Sequence, residues 1–206
     1  MSGHLRKSDY FVADVGIDRA AGLVAAEHYS AGSANTATVL HGLYRAQSRE
    51  LVGVAWWMPP IKAAAVNVYP TNWQGVLALS RLALRTDVPK NGASFLIGRS
   101  IRLIREKHPR WECLVTYADE WREHTGAIYL ATNWEYLGKT KPERTYVDAA
   151  GRMISRKAGP KTRTHAEMIE LGCTMIGTYA RHRFRLVLGL RRAPPERQQS
   201  LFGAAK

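Results

Sequence analysis

Two charged side chains lie in or directly after apolar runs, where a functional site could form. Arg81 interrupts the apolar run 76–84, and Asp119 follows the apolar run 113–118. Because ligands of open α/β sheets bind beyond the carboxyl ends of the strands, Asp119 holds a position typical of an active-site acid. Two interpretations of Arg81 stay open. It is either a core guanidinium paired with a carboxylate such as Asp119, or a planar fork that binds a phosphate or carboxylate ligand.

His28 and Tyr29 form a second candidate pair, at the end of a predicted helix. With Asp119 they would supply one nitrogen and two oxygen donors. This mixture suits iron better than zinc, which prefers thiolate and imidazole ligands. The alternative role of His28 is structural, because a histidine at a helix C-terminus can satisfy the free carbonyl groups there.

The start of a helix predicted over 93–107 is a candidate anion site. The Asn91-Gly92 turn precedes this helix, and Ser94 lies in its first turn. Free backbone N–H groups and the helix dipole favour an anion at such a position. We therefore predict that Arg81, Asn91, Gly92 and Ser94 bind the phosphate of a cofactor.

Hydrophobic periodicity predicts an α/β chain in which a mixed sheet is flanked by helices. Strands are expected at 10–17, 36–46, 51–58, 76–84, 112–118 and 134–138, and helices at 19–29, 93–107 and 125–133. Asp18 is the expected cap of the first helix, and His124 the expected N-terminal residue of the last. Residues 61–75 are expected to be irregular. Residues 36–46 and 51–58 have the pattern of a hairpin.

The charge of the chain favours a polyanionic partner. The net charge is +13 and the sequence pI is about 10.1, which points to nucleic acid. We expect one domain over 1–206, with a core at 10–140, a basic DNA-binding extension at 141–192 and a frayed tail at 193–206. A hairpin at 144–155 and a strand at 181–188 would face the DNA. The cations predicted to contact it are Arg152, Arg156, Lys157, Lys161, Arg163, Arg183 and Arg185. A solvated charged surface is the alternative.

Aromatic side chains near the predicted site suggest a way to hold a base. A base in a duplex must leave the stack before its edge can be modified, and flipping enzymes hold such a base against aromatic or apolar walls. Trp57, beside Pro59 and Pro60, and Tyr129 are the candidates. Most of the neighbouring aromatic residues are expected in the core.

Cysteine usage and hydropathy indicate the compartment. Cys113 and Cys173 are the only cysteines, and Cys113 lies in a predicted buried strand. A disulfide framework is therefore not expected, which fits a reducing cytoplasm. No stretch approaches the roughly 20 apolar residues of a membrane span, so no membrane partner is expected. The residues do not set the oligomeric state, and a homodimer stays open.

The strand and helix order of residues 76–138 resembles the GCN5-related N-acetyltransferase fold. More narrowly, the chain resembles the Mom family of phage DNA-modification proteins over roughly residues 10–150. Four pieces carry this resemblance: EHYS at 27–30, LSRLAL with VPKNGAS at 79–94, TYAD at 116–119 and HTGAIY at 124–129. Their joint spacing is more specific than any one of them.

The resemblance implies an enzyme that converts adenine in duplex DNA to an N6-carbamoylmethyl derivative, which protects phage DNA from restriction in the bacterial cytoplasm. It also implies that His28, Tyr29 and Asp119 are iron or active-site positions, with Tyr129 nearby. Asp119, Tyr129, Arg81 and Ser94 are the expected catalytic residues. The alternatives are an acyl-coenzyme A N-acetyltransferase acting on a protein or small amine, and a non-catalytic basic DNA-binding protein.

The group donor is the least determined part of this prediction. In acetyltransferases the turn before the 93–107 helix holds the pyrophosphate of coenzyme A. Here the loop has one glycine, Gly92, and Pro89 removes a backbone donor. The donor is therefore either acetyl-coenzyme A or an activated glycine such as glycyl-tRNA, which would make tRNA a second partner besides double-stranded DNA.

Overall fold

A computed structural model describes residues 3–30, 37–159 and 161–189. A seven-stranded sheet forms its centre. Its strands are β1 Tyr10–Asp14, β2 Val39–Arg45, β3 Leu51–Met58, β4 Val76–Leu84, β5 Cys113–Asp119, β6 Glu135–Lys139 and β12 Arg181–Val187. They lie in the order β1-β2-β3-β4-β5-β12-β6, and all neighbours pair antiparallel except β4 and β5, which run parallel.

Helices cover both faces of this sheet. They are α1 Ile17–Glu27, α2 Lys62–Val68, α3 Gly92–Lys107 and α4 Ala127–Ala131, with short 3-10 helices at Lys7–Asp9, Pro70–Gly75 and Glu120–Arg122. The helices α3 and α4 pack with Trp57 and Leu114 in the largest core cluster. On the opposite face, α1 packs with Trp56 and Ala83, and α2 packs with Val115. Apolar side chains on both faces explain why these strands are almost continuously hydrophobic.

The parallel pair β4 and β5 separates at its carboxyl end. Its register runs from Val76 opposite Cys113 to Leu79 opposite Thr116 and then stops. Both strands continue, β4 to Leu84 and β5 to Asp119. The outer neighbours β3 and β12 stay paired along these ends. A gap therefore opens between two central strands of the sheet.

A small basic subdomain is inserted between β6 and β12, and we call residues 143–179 the insert. It contains β7 Glu143–Val147, β8 Met153–Ile154, β9 Lys157–Ala158, β10 Lys161–Thr162, α5 His165–Glu170 and β11 Thr174–Tyr179. Its three-stranded sheet has the order β11-β7-β8. Tyr146, Met168 and Cys173 form its own buried cluster. Thr164 and Glu167 form a capping box that starts α5.

The structure contradicts three predictions made from the sequence. The strand predicted at 181–188 is not part of a basic extension, because β12 lies inside the main sheet between β5 and β6. The first helix begins at Ile17 with Gly16 as its N-cap, so Asp18 lies in the first turn and is not the cap. Residues 61–75 form α2 and a 3-10 helix instead of an irregular loop. The hairpin predicted at 144–155 is confirmed by the β7–β8 pair.

Among the described residues, no helix is both long and apolar enough to cross a bilayer. The predicted tail at 193–206 and the last residues of the predicted extension lie outside the described residues.

Candidate functional site

The gap between β4 and β5 forms a pocket of about 360 Å³. Leu79 and Ser80 of β4 and Thr116 and Tyr117 of β5 line its walls. The rest of the lining comes from the end of α1 and from the segment 123–129 after β5. Because the two strands no longer pair with each other here, their facing backbone edges are available to a ligand. The pocket lies where the sequence placed the candidate acid, beyond paired parallel strands.

Tyr29 lines this pocket and contacts Asp119, the residue after the lining residue Ala118. The Tyr29 hydroxyl donates a hydrogen bond to Oδ2 of Asp119, and Asp119 is only 9% exposed. Burial, together with the neighbouring Asp119 charge, raises the pKa of the Tyr29 phenol well above its usual range. Tyr29 therefore stays protonated and orients the carboxylate, which keeps its other oxygen as an acceptor. The nearest described cation to that second oxygen is Arg181, whose Nε lies 4.0 Å from Oδ1.

His28 stacks on Tyr29 and lines the same pocket. The two rings lie 4.3 Å apart, centre to centre, with 25° between their planes. The backbone N–H of Ser30 donates to Nδ1 of His28 at 3.1 Å. Burial, together with the nearby Arg81 charge, lowers the pKa of His28 to about 4. The imidazole is therefore neutral at physiological pH.

Arg81 hydrogen-bonds to Ser80 and Ser30, and it forms no ion pair with Asp119 among the described residues. Its Nη1 donates to the Ser80 carbonyl at 2.7 Å, and its Nη2 donates to the Ser30 hydroxyl at 3.4 Å. Its Nε is buried and has no partner among the described residues. Burial lowers the pKa of the guanidinium, although Tyr29 and Asp119 oppose that effect. The geometry therefore does not support the interpretation of Arg81 as the partner of Asp119 in a core ion pair.

Tyr129 lines the pocket and is buried. Its ring is 8% exposed and packs on Trp134 and Phe184. Burial raises the pKa of its phenol, and a hydrogen bond with Thr116 partly offsets the increase. His124 also lines the pocket, and its backbone N–H donates to the Asp119 carbonyl at 3.3 Å. It precedes α4 by three residues.

The structure does not support the predicted iron site. Tyr29 donates its hydroxyl hydrogen bond to Asp119, and Nδ1 of His28 accepts from the Ser30 N–H. Within the described ranges, no three His, Cys, Asp or Glu side chains come close enough together to hold a metal ion. His28, Tyr29 and Asp119 do converge, but as a hydrogen-bonded and stacked group.

The predicted cofactor residues do not form one site. Arg81 lies on the α1 face of the sheet, whereas Asn91, Gly92 and Ser94 begin α3 on the opposite face. Asn91 Oδ1 accepts from the Leu5 backbone N–H at 2.5 Å, and the Gly92 N–H donates to the Pro89 carbonyl at 2.8 Å. Ser94 Oγ donates to the Asn91 carbonyl at 3.0 Å. Several of the groups that an anion would use are therefore engaged within the chain.

The residues predicted to bind DNA divide into two groups. Trp57 is completely buried and donates from Nε1 to Ser100 Oγ at 2.8 Å, so its assignment as a DNA contact is wrong. Arg185 pairs with Glu135 at 2.8 Å, and Arg183 donates to the Leu137 carbonyl. Both arginines are part of the main sheet, which corrects their assignment to a DNA-facing arm.

The remaining predicted cations lie on the insert. Arg152 pairs with Asp148, and Lys161 pairs with Glu167. Arg156 Nε donates to the Arg163 carbonyl, which joins the two segments of a loop. Lys157 is exposed and has no ion pair within the described ranges.

Sequence reasoning missed three residues that contact His28, Tyr29, Arg81 or Asp119. Ser30 connects His28, Arg81 and the insert, and Arg181 lies directly across from Asp119 in the β5–β12 register. Trp121 packs edge-on against Tyr29, with ring centres 5.7 Å apart. Arg181 could be recognised as the neighbour of Asp119 only if β5 was known to pair with β12, and these strands are more than 60 positions apart in the sequence.

The solved structures that this chain resembles are acetyltransferases. The ribosomal-protein-S18-alanine N-acetyltransferase of Escherichia coli superposes with a TM-score of 0.55 at 9% identity, covering 88% of this chain and 95% of that chain. A Salmonella typhimurium protein described as an acetyltransferase and solved with acetyl-CoA gives 0.53 at 9% identity, covering 92% and 99%. At these identities the likeness shows the fold alone, which is that of GCN5-related N-acetyltransferases.

Sequence comparison identifies the family. The methylcarbamoylase mom of Escherichia phage Mu is 30% identical over 132 residues, which cover 63% of this chain and 53% of that protein. The chain therefore matches about half the length of this relative. The model of the Mom protein family matches residues 9–197, nearly the whole chain. The chain belongs to the Mom protein family.

Proposed function

We propose that this protein is a DNA-modification transferase that converts adenine in duplex DNA to an N6-carbamoylmethyl derivative. The observation that carries the proposal is the Tyr29–Asp119 pair, in which Tyr29 lines the pocket between β4 and β5 and Asp119 directly follows the lining residue Ala118. The relationship to the phage Mu methylcarbamoylase supports the same chemistry. Such a modification would protect phage DNA from restriction.

Asp119 has the features of a proton acceptor for this reaction. The exocyclic amine of adenine is a poor nucleophile because its lone pair is delocalised into the ring. A carboxylate that removes a proton as N6 attacks would lower this barrier, typically by a factor of about 100 to 10,000. Tyr29 fixes one oxygen of Asp119, and the other is left for the substrate. The pocket could receive a base that has left the stack.

The donor is an activated acyl compound, for which there are two candidate sources. Acetyl-CoA is bound by the Salmonella typhimurium structure of the same fold. From acetyl-CoA, however, a carbamoylmethyl product would also require a separate nitrogen source and a two-electron oxidant. A carbamoylmethyl group contains the atoms of glycine amide. An ester of glycine, such as glycyl-tRNA, could acylate N6. Attack of the glycyl amine on C6 of the ring and release of the original N6 as the amide would complete the product without an oxidant.

The partner is duplex DNA, and the insert is its proposed binding surface. The insert carries most of the predicted phosphate-contacting cations and docks beside the pocket, because the Met153 N–H donates to the Tyr29 carbonyl at 3.0 Å. Phosphate contacts of this kind position a duplex without specifying its sequence. A solvated charged surface is the alternative that binding experiments would reveal.

Mass spectrometry of nucleosides from DNA of cells that express the chain tests the proposal. We expect a modified deoxyadenosine whose yield falls about 100-fold or more in Asp119→Asn, because the carboxamide cannot take the proton. The matched control is Glu120→Gln, which removes the next carboxylate in the chain, a half-exposed group that pairs with Lys139 and accepts from the Ala180 N–H. Unmodified DNA with acetylation of a protein or small amine would instead indicate an ordinary N-acetyltransferase. DNA binding with neither activity would indicate a non-catalytic protein.

Labelled precursors identify the donor. Label from glycine should appear in the modified adenine if an activated glycine is used, and label from acetate if acetyl-CoA is used.

A further inference from the structure

Ser30 fixes the position of the proton on His28. A backbone N–H can only donate, so the 3.1 Å contact from Ser30 requires a lone pair on Nδ1. A neutral imidazole with a lone pair on Nδ1 carries its proton on Nε2. No described residue accepts a hydrogen bond from Nε2, and the ring lines the pocket. His28 therefore offers an N–H group to whatever the pocket holds.

The segment that carries His28 is held from three sides. Ser30 is 5% exposed, and its hydroxyl accepts from Arg81 at 3.4 Å. Its backbone forms a bridge with Met153 of the insert, whose N–H also binds the Tyr29 carbonyl. Stacking on Tyr29 fixes the plane of the imidazole. A donor with so little freedom is preorganised, and preorganised donors stabilise developing charge most effectively.

We infer that His28 donates its Nε2–H to the carbonyl oxygen of the acyl donor, and that Ser30 is the positioning residue that fixes this tautomer. The inference rests on the proposed function. As N6 of adenine bonds to the carbonyl carbon, the π electron pair moves to the oxygen that His28 binds. The pair returns as the bond to the leaving group breaks, releasing a thiolate from a thioester or an alkoxide from an ester. Asp119 takes the N6 proton.

This role differs from that of a metal ligand or a general base. Both of those roles need a lone pair on the nitrogen that faces the substrate, and here that nitrogen carries the proton. Substitution by glutamine separates the possibilities, because its side-chain amide N–H can reach the position of Nε2–H. Alanine supplies no donor at all.

The kinetic test compares His28→Gln with His28→Ala in the full chain, with DNA and with acetyl-CoA or glycyl-tRNA as donor in separate arms. The arm that supports turnover by the wild type identifies the source of the acyl group. In that arm we expect His28→Ala to lower kcat about 100-fold, as loss of one oxyanion donor does. His28→Gln should recover most of that loss. Equal kcat values for the two variants, both folded, would overturn the donor role.

The second test is spectroscopic and needs no activity. Two-bond ¹⁵N–¹H correlation spectra of the wild type should show the His28 proton on Nε2. Ser30→Ala should keep that tautomer, because it retains the backbone N–H and removes only the hydroxyl. Ser30→Pro removes the N–H and should release the tautomer. A wild-type spectrum with the proton on Nδ1 would refute the inference. If DNA is never modified while the tautomer is as stated, the proposed function fails and the assignment of the proton stands.

Discussion

The pocket and the insert are built in different ways. The pocket lies between strands of a seven-stranded sheet, and its residues depend on pairings between distant parts of the chain. The insert has a buried cluster of Tyr146, Met168 and Cys173, with Ile154 packed against it. Its conformation is stabilised largely by short-range interactions, such as the capping box at Thr164 and ion pairs between residues close in sequence. The proposed chemistry, which needs fixed distances, thus lies on the main sheet, and the proposed DNA contacts, which tolerate adjustment, lie on the insert.

The pocket and the insert contact each other through the backbone of Met153, Tyr29 and Ser30. Met153 of β8 binds the Tyr29 carbonyl and bridges to Ser30, beside the residues that orient Asp119. The surface proposed to bind a duplex is therefore joined through the backbone to the residues proposed to act on its base. The main sheet should respond to substitution with large decreases in stability, and the insert with small ones.

Two glycines test this difference most strongly. Gly126 has φ +75° and a Cβ there would lie 2.2 Å from Phe184 Cζ, whereas Gly151 of the insert has φ +73° and open space around it. Gly126→Ala should lower the free energy of unfolding by about 3 kcal/mol, from the left-handed conformation and from overpacking. Gly151→Ala should cost about 1 kcal/mol, from conformation alone. Urea unfolding of both variants measures the difference, and equal midpoints would contradict it.

A buried tryptophan tests whether the aromatic side chains of the main sheet are structural. Trp57→Phe should destabilise the protein by about 2 kcal/mol, because it leaves a cavity and removes the hydrogen bond to Ser100. Duplex affinity per folded molecule should not change. Trp73→Phe is the control, since Trp73 is 36% exposed and packs only partly. A Trp57→Phe variant that stays stable but binds DNA weakly would restore the original assignment.

Buried histidines give the main sheet a pH dependence. His41 is fully buried against Ser100, and burial lowers its pKa to about 4, as it does for His28. Between pH 6.5 and 4 the unfolded chain binds protons that the folded protein does not, so the free energy of unfolding should fall as the pH falls through this window.

The variant His41→Gln should reduce that slope, as measured by urea unfolding at a series of pH values. His165→Gln, in the insert, is the matched control and leaves His28 and His41 in place. An unchanged slope in His41→Gln would show that His41 does not contribute.

Local pattern was enough to predict the elements around the pocket. The apolar runs at 76–84 and 113–118 became β4 and β5, and the i, i+4, i+7 isoleucines at 97, 101 and 104 all face the core on α3. Asp119 could be singled out because the end of a buried strand is an unusual place for a carboxylate. Its convergence with Tyr29 came from the family resemblance, since 90 residues separate the two.

The remaining differences have physical reasons that no short window contains. Strand β12 pairs with β5 and β6, so its arginines looked like an exposed charged face although neighbouring strands and carbonyl groups cover them. Trp56 and Trp57 are both buried because both faces of β3 are covered, and alternation cannot separate two buried faces. The segment that became α2 lies between two prolines, and its helix depends on burying Ala65 and Val68 against the sheet.

The smallest expected effect concerns the insert alone. If its cations contact DNA phosphates, Lys157→Ala with Arg163→Ala should flatten the slope of log affinity against log salt by up to about 1.8, or roughly 0.9 for each phosphate that is no longer neutralised. Fluorescence anisotropy with a duplex at several salt concentrations measures this slope.

Thermal stability should change little, because Lys157 is exposed and Arg163 donates only to the Ser155 carbonyl on a local loop. Arg102→Ala is the matched control, an exposed cation of α3 whose partner is Glu106. Equal slopes for the insert variant and the wild type would show that its charge is only solvated, and that the duplex binds another surface.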